Sequence, residues 1–197
     1  MRGTVCSRLQ LGTVLLCDLS RSFSRVLLTV CVVWSDPNLT IDGTQHFYLS
    51  ILEPATFARA RAIASAARYR GLQGYLVTLG SRAESAFVAR LLSGGGAIPS
   101  NAWSSLREFP AKSLAYHWAD GPAGEAGAQV WQGAADGHTV DGRFASWAPG
   151  SPVGAPCVLI GGIDGDQWRD ASCEFEYKFV IEFSGACLLG CFANSFW

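Results

Sequence analysis

Apolar residues recur with a helical period at two places along the chain. After Pro54 and Thr56, which mark a start, Phe57, Ala60, Ile63, Ala64 and Ala67 fall on one face and predict a helix over about 56–68. Arg59, Arg61, Arg68 and Arg70 lie mostly off that face and read as its solvated side, and Gly71 and Gly74 end it. Phe87, Val88, Leu91 and Leu92 predict a second amphipathic helix over about 82–92. Ser81-Arg-Ala-Glu84 opens it as a capping box, in which the Ser oxygen accepts from the third backbone N–H and the Glu reaches back. Gly94-Gly95-Gly96 stops it.

The remaining apolar runs are short. His46-Phe-Tyr-Leu-Ser-Ile-Leu52 and Tyr75-Leu-Val-Thr-Leu79 read as strands. From residue 100 onward, aromatic and aliphatic runs alternate with Gly/Pro/Asp-rich turns, centred on Trp103, Trp118, Trp131, Val158-Leu-Ile160, Trp168 and Phe179-Val-Ile-Glu-Phe183. Two helices followed by many small strands predict an α+β domain. Its expected extent is 44–184, with a leader or linker over 1–43 and a short tail over 185–197.

Composition narrows the function classes. The 197 residues suit one domain, and 49% hydrophobic against 16% charged content excludes general disorder. Fifteen basic against sixteen acidic residues give a net charge of -1, which argues against a nucleic-acid partner, because such binders need a basic face. Twenty-two Gly and seven Trp point to ordered loops pinned by aromatics rather than to a helix bundle.

The N-terminal stretch bears on compartment. Arg2, Arg8, Arg21 and Arg25 precede the apolar run 26–34, a pattern that resembles a secretory signal, although the basic region is long and no A-x-A site follows. The alternative is an upstream stretch with no such role. The run is shorter than the ~20 residues a bilayer span takes, and membrane association is not indicated. Asn38-Leu39-Thr40 is an N-glycosylation sequon. The seven Cys fall into three groups: Cys6, Cys17 and Cys31; Cys157 and Cys173; Cys187 and Cys191. None forms a C-x-x-C pair, so a structural zinc site has no support in the sequence.

Catalytic patterns are missing from the sequence. His46, His117 and His138 are scattered, with no H-E-x-x-H, G-x-S-x-G or P-loop around them. His117, between Tyr116 and Trp118 in a strand-like run, reads as structural, and Gly94-Gly95-Gly96 as a helix stop rather than a phosphate cradle. A non-enzymatic protein is expected.

An ordered series of motifs carries a family resemblance. Gly74-Tyr-Leu-Val-Thr-Leu is followed by Ser81-Arg-Ala-Glu84-x-x-Phe87, Asn101-Ala-Trp-Ser-Ser-Leu106 and Tyr116-His-Trp118-Ala-Asp-Gly121. Trp147-Ala-Pro-Gly-Ser-Pro152, Cys157-Val, Trp168-Arg-Asp170, Cys173 and Phe179-Val-Ile-Glu182 close the series. In this order, residues 47–183 resemble a C-type lectin-like domain. The resemblance implies a fold whose first and last strands pair and whose long loop carries the ligand site.

It also implies an inner disulfide at Cys157 and Cys173, the alternative being two buried thiols. The family's outer bridge would join the positions of Ala64 and Ile181, where both partners are missing together. With the sequon, the bridge points to a secreted or extracellular protein.

The departures concern calcium, which takes six to eight oxygens at ~2.3–2.6 Å. The family's Glu-Pro-Asn stands here as Ser151-Pro152-Val153, and its Trp-Asn-Asp as Trp168-Arg169-Asp170. Ala155-Pro156 replaces the acidic residue before the inner Cys. Asp170 survives, with Asp164 and Asp166 as a local acidic remnant, and Arg169 stands where it could fill the ion's place and pair with Asp170. The expectation is a module without cofactor or tight calcium. It binds carbohydrate without a complete calcium site or, alternatively, a protein surface. Its candidate ligand residues are Ser151, Arg169, Asp170, Trp131 and Trp147, and its partner is a glycan or a protein.

Overall fold

The computed structural model describes residues 14–15, 31–34, 40–41, 44–93, 100–161 and 165–185. The strands before the first helix are β1 (Val14–Leu15), β2 (Cys31–Trp34), β3 (Thr40–Ile41) and β4 (Thr44–Ala55). Helix α1 (Phe57–Ala66), the hairpin β5 (Arg68–Tyr69) and β6 (Leu72–Leu76), and helix α2 (Arg82–Ser93) follow. Then come β7 (Asn101–Glu108), β8 (Ala115–Trp118), β9 (Gln129–Gln132), β10 (His138–Thr139), β11 (Cys157–Gly161), β12 (Trp168–Ala171) and β13 (Tyr177–Ser184). The architecture is the expected α+β one.

The strand pairing expected between the two ends is present. β4 runs antiparallel to β13, from Tyr177 opposite Ala55 to Ser184 opposite His46. β13 also pairs with β6 and, in parallel, with β7, which puts it at the centre of the sheet. Phe179, Val180, Ile181, Glu182 and Phe183 are all buried, as a strand covered on both faces requires. From β7 the sheet continues through β8, β9 and β10, and β11 pairs with both β7 and β12.

Alternation along β4 and β13 divides the core in two. Phe47, Leu49, Phe179, Ile181 and Phe183 face α1, where Phe57, Ala60 and Ala64 meet them. Tyr48 and Val180 face the other way, toward Phe87, Val88 and Leu92 of α2. Ile63 and Leu91 pack at the margins of these two clusters.

Two element boundaries differ from the sequence expectation. α1 ends at Ala66 rather than near 68, because Arg68–Tyr69 starts a hairpin whose two-residue turn is Arg70 and Gly71, with φ of 50° and 81°. The strand expected at 75–79 is Leu72–Leu76, and Val77 stays attached by donating to the carbonyl of Val180. Thr56 occupies the N-cap position of α1 without a side-chain bond. The Phe57 N–H instead donates to the Cys173 carbonyl, tying the helix start to the segment that holds the disulfide.

Cys157 and Cys173 are bonded, with Cα atoms 5.2 Å apart. Where the family's outer bridge would run, Ala64 and Ile181 are buried with Gly74 between them. A Cβ on Gly74 would lie 2.7 Å from the Ala64 carbonyl oxygen and 2.8 Å from Ile181 Cγ2. β2, within the stretch expected as a leader, pairs with β4 through Val33 opposite Leu49 and Trp34 opposite Tyr48, so backbone before residue 44 also joins the sheet. Residues 26–30, the sequon positions Asn38 and Leu39, Gly94 to Gly96, and Cys6, Cys17, Cys187 and Cys191 lie outside the described residues.

Candidate functional site

The long loop between β10 and β11 returns over β12, and backbone bonds set its path. Trp168 N–H donates to the Ser146 carbonyl, and Ala148 N–H to the Trp168 carbonyl, so Trp147 is clamped beside β12. Ser151 N–H closes a turn onto the Ala148 carbonyl, and Ser151 and Pro152 are buried at its far side. The chain then emerges at Val153, which is 76% exposed.

Asp170 holds this tip from below. Its Oδ2 accepts from the backbone N–H of Val153 at 2.8 Å and of Ala155 at 2.7 Å. The Ala155 carbonyl accepts from the Tyr116 hydroxyl at 3.1 Å. Burial, then the charges of Asp170 and Glu108, push the Tyr116 phenol above its ordinary range, so it remains a donor. The Arg169–Asp170 pair suggested by adjacency is not the bond Asp170 makes: it turns to loop backbone, and neighbours on a strand face opposite ways.

The candidate residues divide accordingly. Ser151, Asp170 and Trp147 come together around the loop, and Arg169 is exposed on β12 beside it. Trp131, one of the candidate ligand residues, is half-buried. Its Nε1–H donates to the carbonyls of Gly133 and Ala134, and its ring stands edge-on to Trp147, with centroids 6.2 Å apart. Trp147 contacts Tyr116 and Trp168 as well, making an aromatic block beneath the loop. The Gln132 amide donates to the Ser113 carbonyl. Asp166 is half-buried, and its carbonyl accepts from Ser85; Asp164 lies outside the described residues. His117 is bonded through Nδ1 to the Gly127 carbonyl, a structural role.

A second polar constellation, which sequence reading missed, lies between α2 and the sheet. Period-two alternation puts His46 and Tyr48 on one face of β4, and Val180 and Glu182 on the matching face of β13, with Tyr48 opposite Glu182. His46 Nδ1 meets Glu182 Oε1 at 2.5 Å, and Glu182 Oε2 accepts from the N–H and hydroxyl of Thr78. Glu84, from the first turn of α2, accepts from the Tyr48 hydroxyl at 2.7 Å and from the Gly80 N–H at 2.8 Å. The Ser half of the capping box forms, with Glu84 N–H donating to Ser81 Oγ at 3.2 Å. The Glu half goes one residue past the cap. Among the described residues, these three side chains are the His/Cys/Asp/Glu group with mutually close donor atoms, all within 4.8 Å, and each carboxylate already has protein donors. Among the described residues, no such group includes Asp170.

Comparison with known proteins places this geometry in context. No protein-family model matches the chain. Mouse Lithostathine-1 is 31% identical over 116 residues, covering 57% of this chain and 59% of that protein. The chain thus spans less than two thirds of the curated relatives it matches first. The crystal structure of human lithostathine superposes with a TM-score of 0.54 at 25% identity, over 75% of this chain and 92% of that one. The C-type lectin CEL-I from Cucumaria echinata superposes with a TM-score of 0.55 at 20% identity, over 74% and 93%, and shares the fold.

Proposed function

Because the chain carries a C-type lectin-like domain, we propose that it is a non-enzymatic recognition module whose loop at 147–156 contacts its partner without calcium. The observation that carries this reading is the double hydrogen bond from Val153 and Ala155 N–H to Asp170 Oδ2. In a calcium-dependent site a carboxylate at this position would face the ion; here one of its oxygens holds the loop's own backbone. Val153 contributes no ligand atom, and Ser151, a neutral hydroxyl, is buried. This donor set is too small to offset the dehydration of a divalent ion.

The exposed chemistry favours a protein surface over a free sugar. The tip presents Val153, with Arg169 beside it on β12, and the Gln132 amide is engaged within the domain. The glycan reading keeps one support: the half-buried Trp131 and Trp147, whose remaining faces could stack on a sugar. The Cys157–Cys173 bridge supports an oxidising, extracellular setting, and no helix among the described residues is long and apolar enough to cross a membrane.

The test is a glycan array and a partner pull-down, each run with calcium and again with chelator, together with calcium calorimetry on the full chain. We expect binding unchanged by chelation and no heat of calcium binding in the micromolar range. A micromolar calcium site that Asp170→Ala abolishes overturns the reading.

A further inference from the structure

Two carboxylates buried side by side resist being ionised together, because each loses hydration and repels the other. Glu84 is 1% exposed and Glu182 is fully buried. Among the described residues, the cation-capable group facing them is His46, and it is bonded to Glu182. Glu182 accepts from Thr78 N–H and the Thr78 hydroxyl and meets His46 Nδ1. Glu84 has only the neutral Gly80 N–H and Tyr48 hydroxyl. From the other elements packed here, β6 contributes Tyr75 and the segment after β8 contributes Glu125. Neither is positive, and Arg143 acts on Glu125 rather than on Glu84. Oε2 of Glu125 is itself buried without a partner.

We propose that His46, Glu84 and Glu182 form a proton-operated latch: a proton held on Glu84 keeps α2 seated on the β4–β13 strands beside Glu182, and its loss in alkaline solution loosens α2 together with the loop carrying Asp170. The link to the loop is short. Ser85, next to Glu84, donates to the Asp166 carbonyl at 2.9 Å and accepts from the Trp168 indole N–H at 3.4 Å. Trp168 and Asp170 share β12. Burial first, then the Glu182 charge, push the Glu84 carboxyl up to about 9, so the proton is held through neutral pH. Burial acts in the same direction on Glu125. The latch stands whether or not the loop binds its partner as read above.

Thermal unfolding of the full chain from about pH 6 to about pH 10 tests it, comparing wild type with Glu84→Gln, whose amide stays neutral throughout. The wild-type midpoint should already fall from about pH 6, keep falling toward pH 9 and level off above it, and the fall should shrink to less than half in the variant. Equal falls, or a flat wild-type profile, overturn the proposal. If the variant does not fold, carbon-13 NMR of wild type labelled at its Glu carboxyls decides. One carboxyl titrating near 9, with the Trp168 indole N–H shifting at the same midpoint, upholds it. Glu carboxyls that all titrate below about 6 overturn the latch. A Trp168 signal lacking the alkaline step overturns its link to the loop.

Discussion

Asp170 shows how one residue can keep its place and change its work. Its carboxylate was visible in the sequence as a surviving calcium ligand, but its engagement with Val153 and Ala155 N–H depends on the loop path and has no local signature. Asp170→Ala should remove a charge-assisted acceptor from two amides at once, costing about 1.5–3 kcal/mol. It should also speed hydrogen exchange at Val153 and Ala155 selectively, and both effects can be read in one exchange experiment with a melt. Asp170→Asn, which keeps an acceptor oxygen, should lose less. Glu84 sets a pH dependence of definite sign. Its folded pKa, near 9, is above its ordinary value of 4.5, so the native state holds a proton that the unfolded chain has released. Stability from this group is therefore full below the lower value and falls as pH rises toward the upper one, by ~1.4 kcal/mol per pH unit at most. Denaturant titrations at several pH values would measure that slope, which Glu84→Gln should flatten. In the sequence His46 is one of three scattered histidines, because nothing within a few residues of it predicts Glu182, 136 positions away.

At the scale of elements, both helices were legible from their apolar period, and the errors lay at boundaries where a turn competed. Arg70 reads in the sequence as part of the helix's solvated side and Gly71 as its end; together they form a hairpin turn whose positive φ values let the chain reverse at once. Gly74 also read as a helix stop, yet its role is close approach. It lies in β6, where a methyl group would press into the Ala64 carbonyl, Ile181 and Phe183, all within 2.9 Å of the added atom. Gly74→Ala should therefore destabilise by about 1–3 kcal/mol, with strain shared between the Ala64 carbonyl and the buried side chains of Ile181 and Phe183. Chemical denaturation should show a lower midpoint with unchanged slope. That packing also occupies the ground left by the missing outer bridge: two small or aliphatic residues and a glycine bring α1, β6 and β13 into contact there without a covalent bond.

At the scale of the whole molecule, the remaining bridge has much to hold. Cys157–Cys173 closes a loop with a sequence separation of 16 and fixes β11, β12 and the start of α1, since Phe57 N–H bonds to the Cys173 carbonyl. Replacing both cysteines by Ala should cost about 3 kcal/mol, observed as a lower denaturant midpoint that no longer responds to reductant. The α+β class, the helices, the pairing of the terminal strands and the likeness to C-type lectin-like domains could be read from the chain alone. They rest on period, turn chemistry and ordered motifs, which are local or evenly spaced properties. The use of Asp170 as a backbone acceptor, the folding of Trp131 into the aromatic block and the meeting of His46, Glu84 and Glu182 could not. Each arises where strands brought together by register place side chains from distant segments on one face, and burial then removes the water that would otherwise have satisfied them separately.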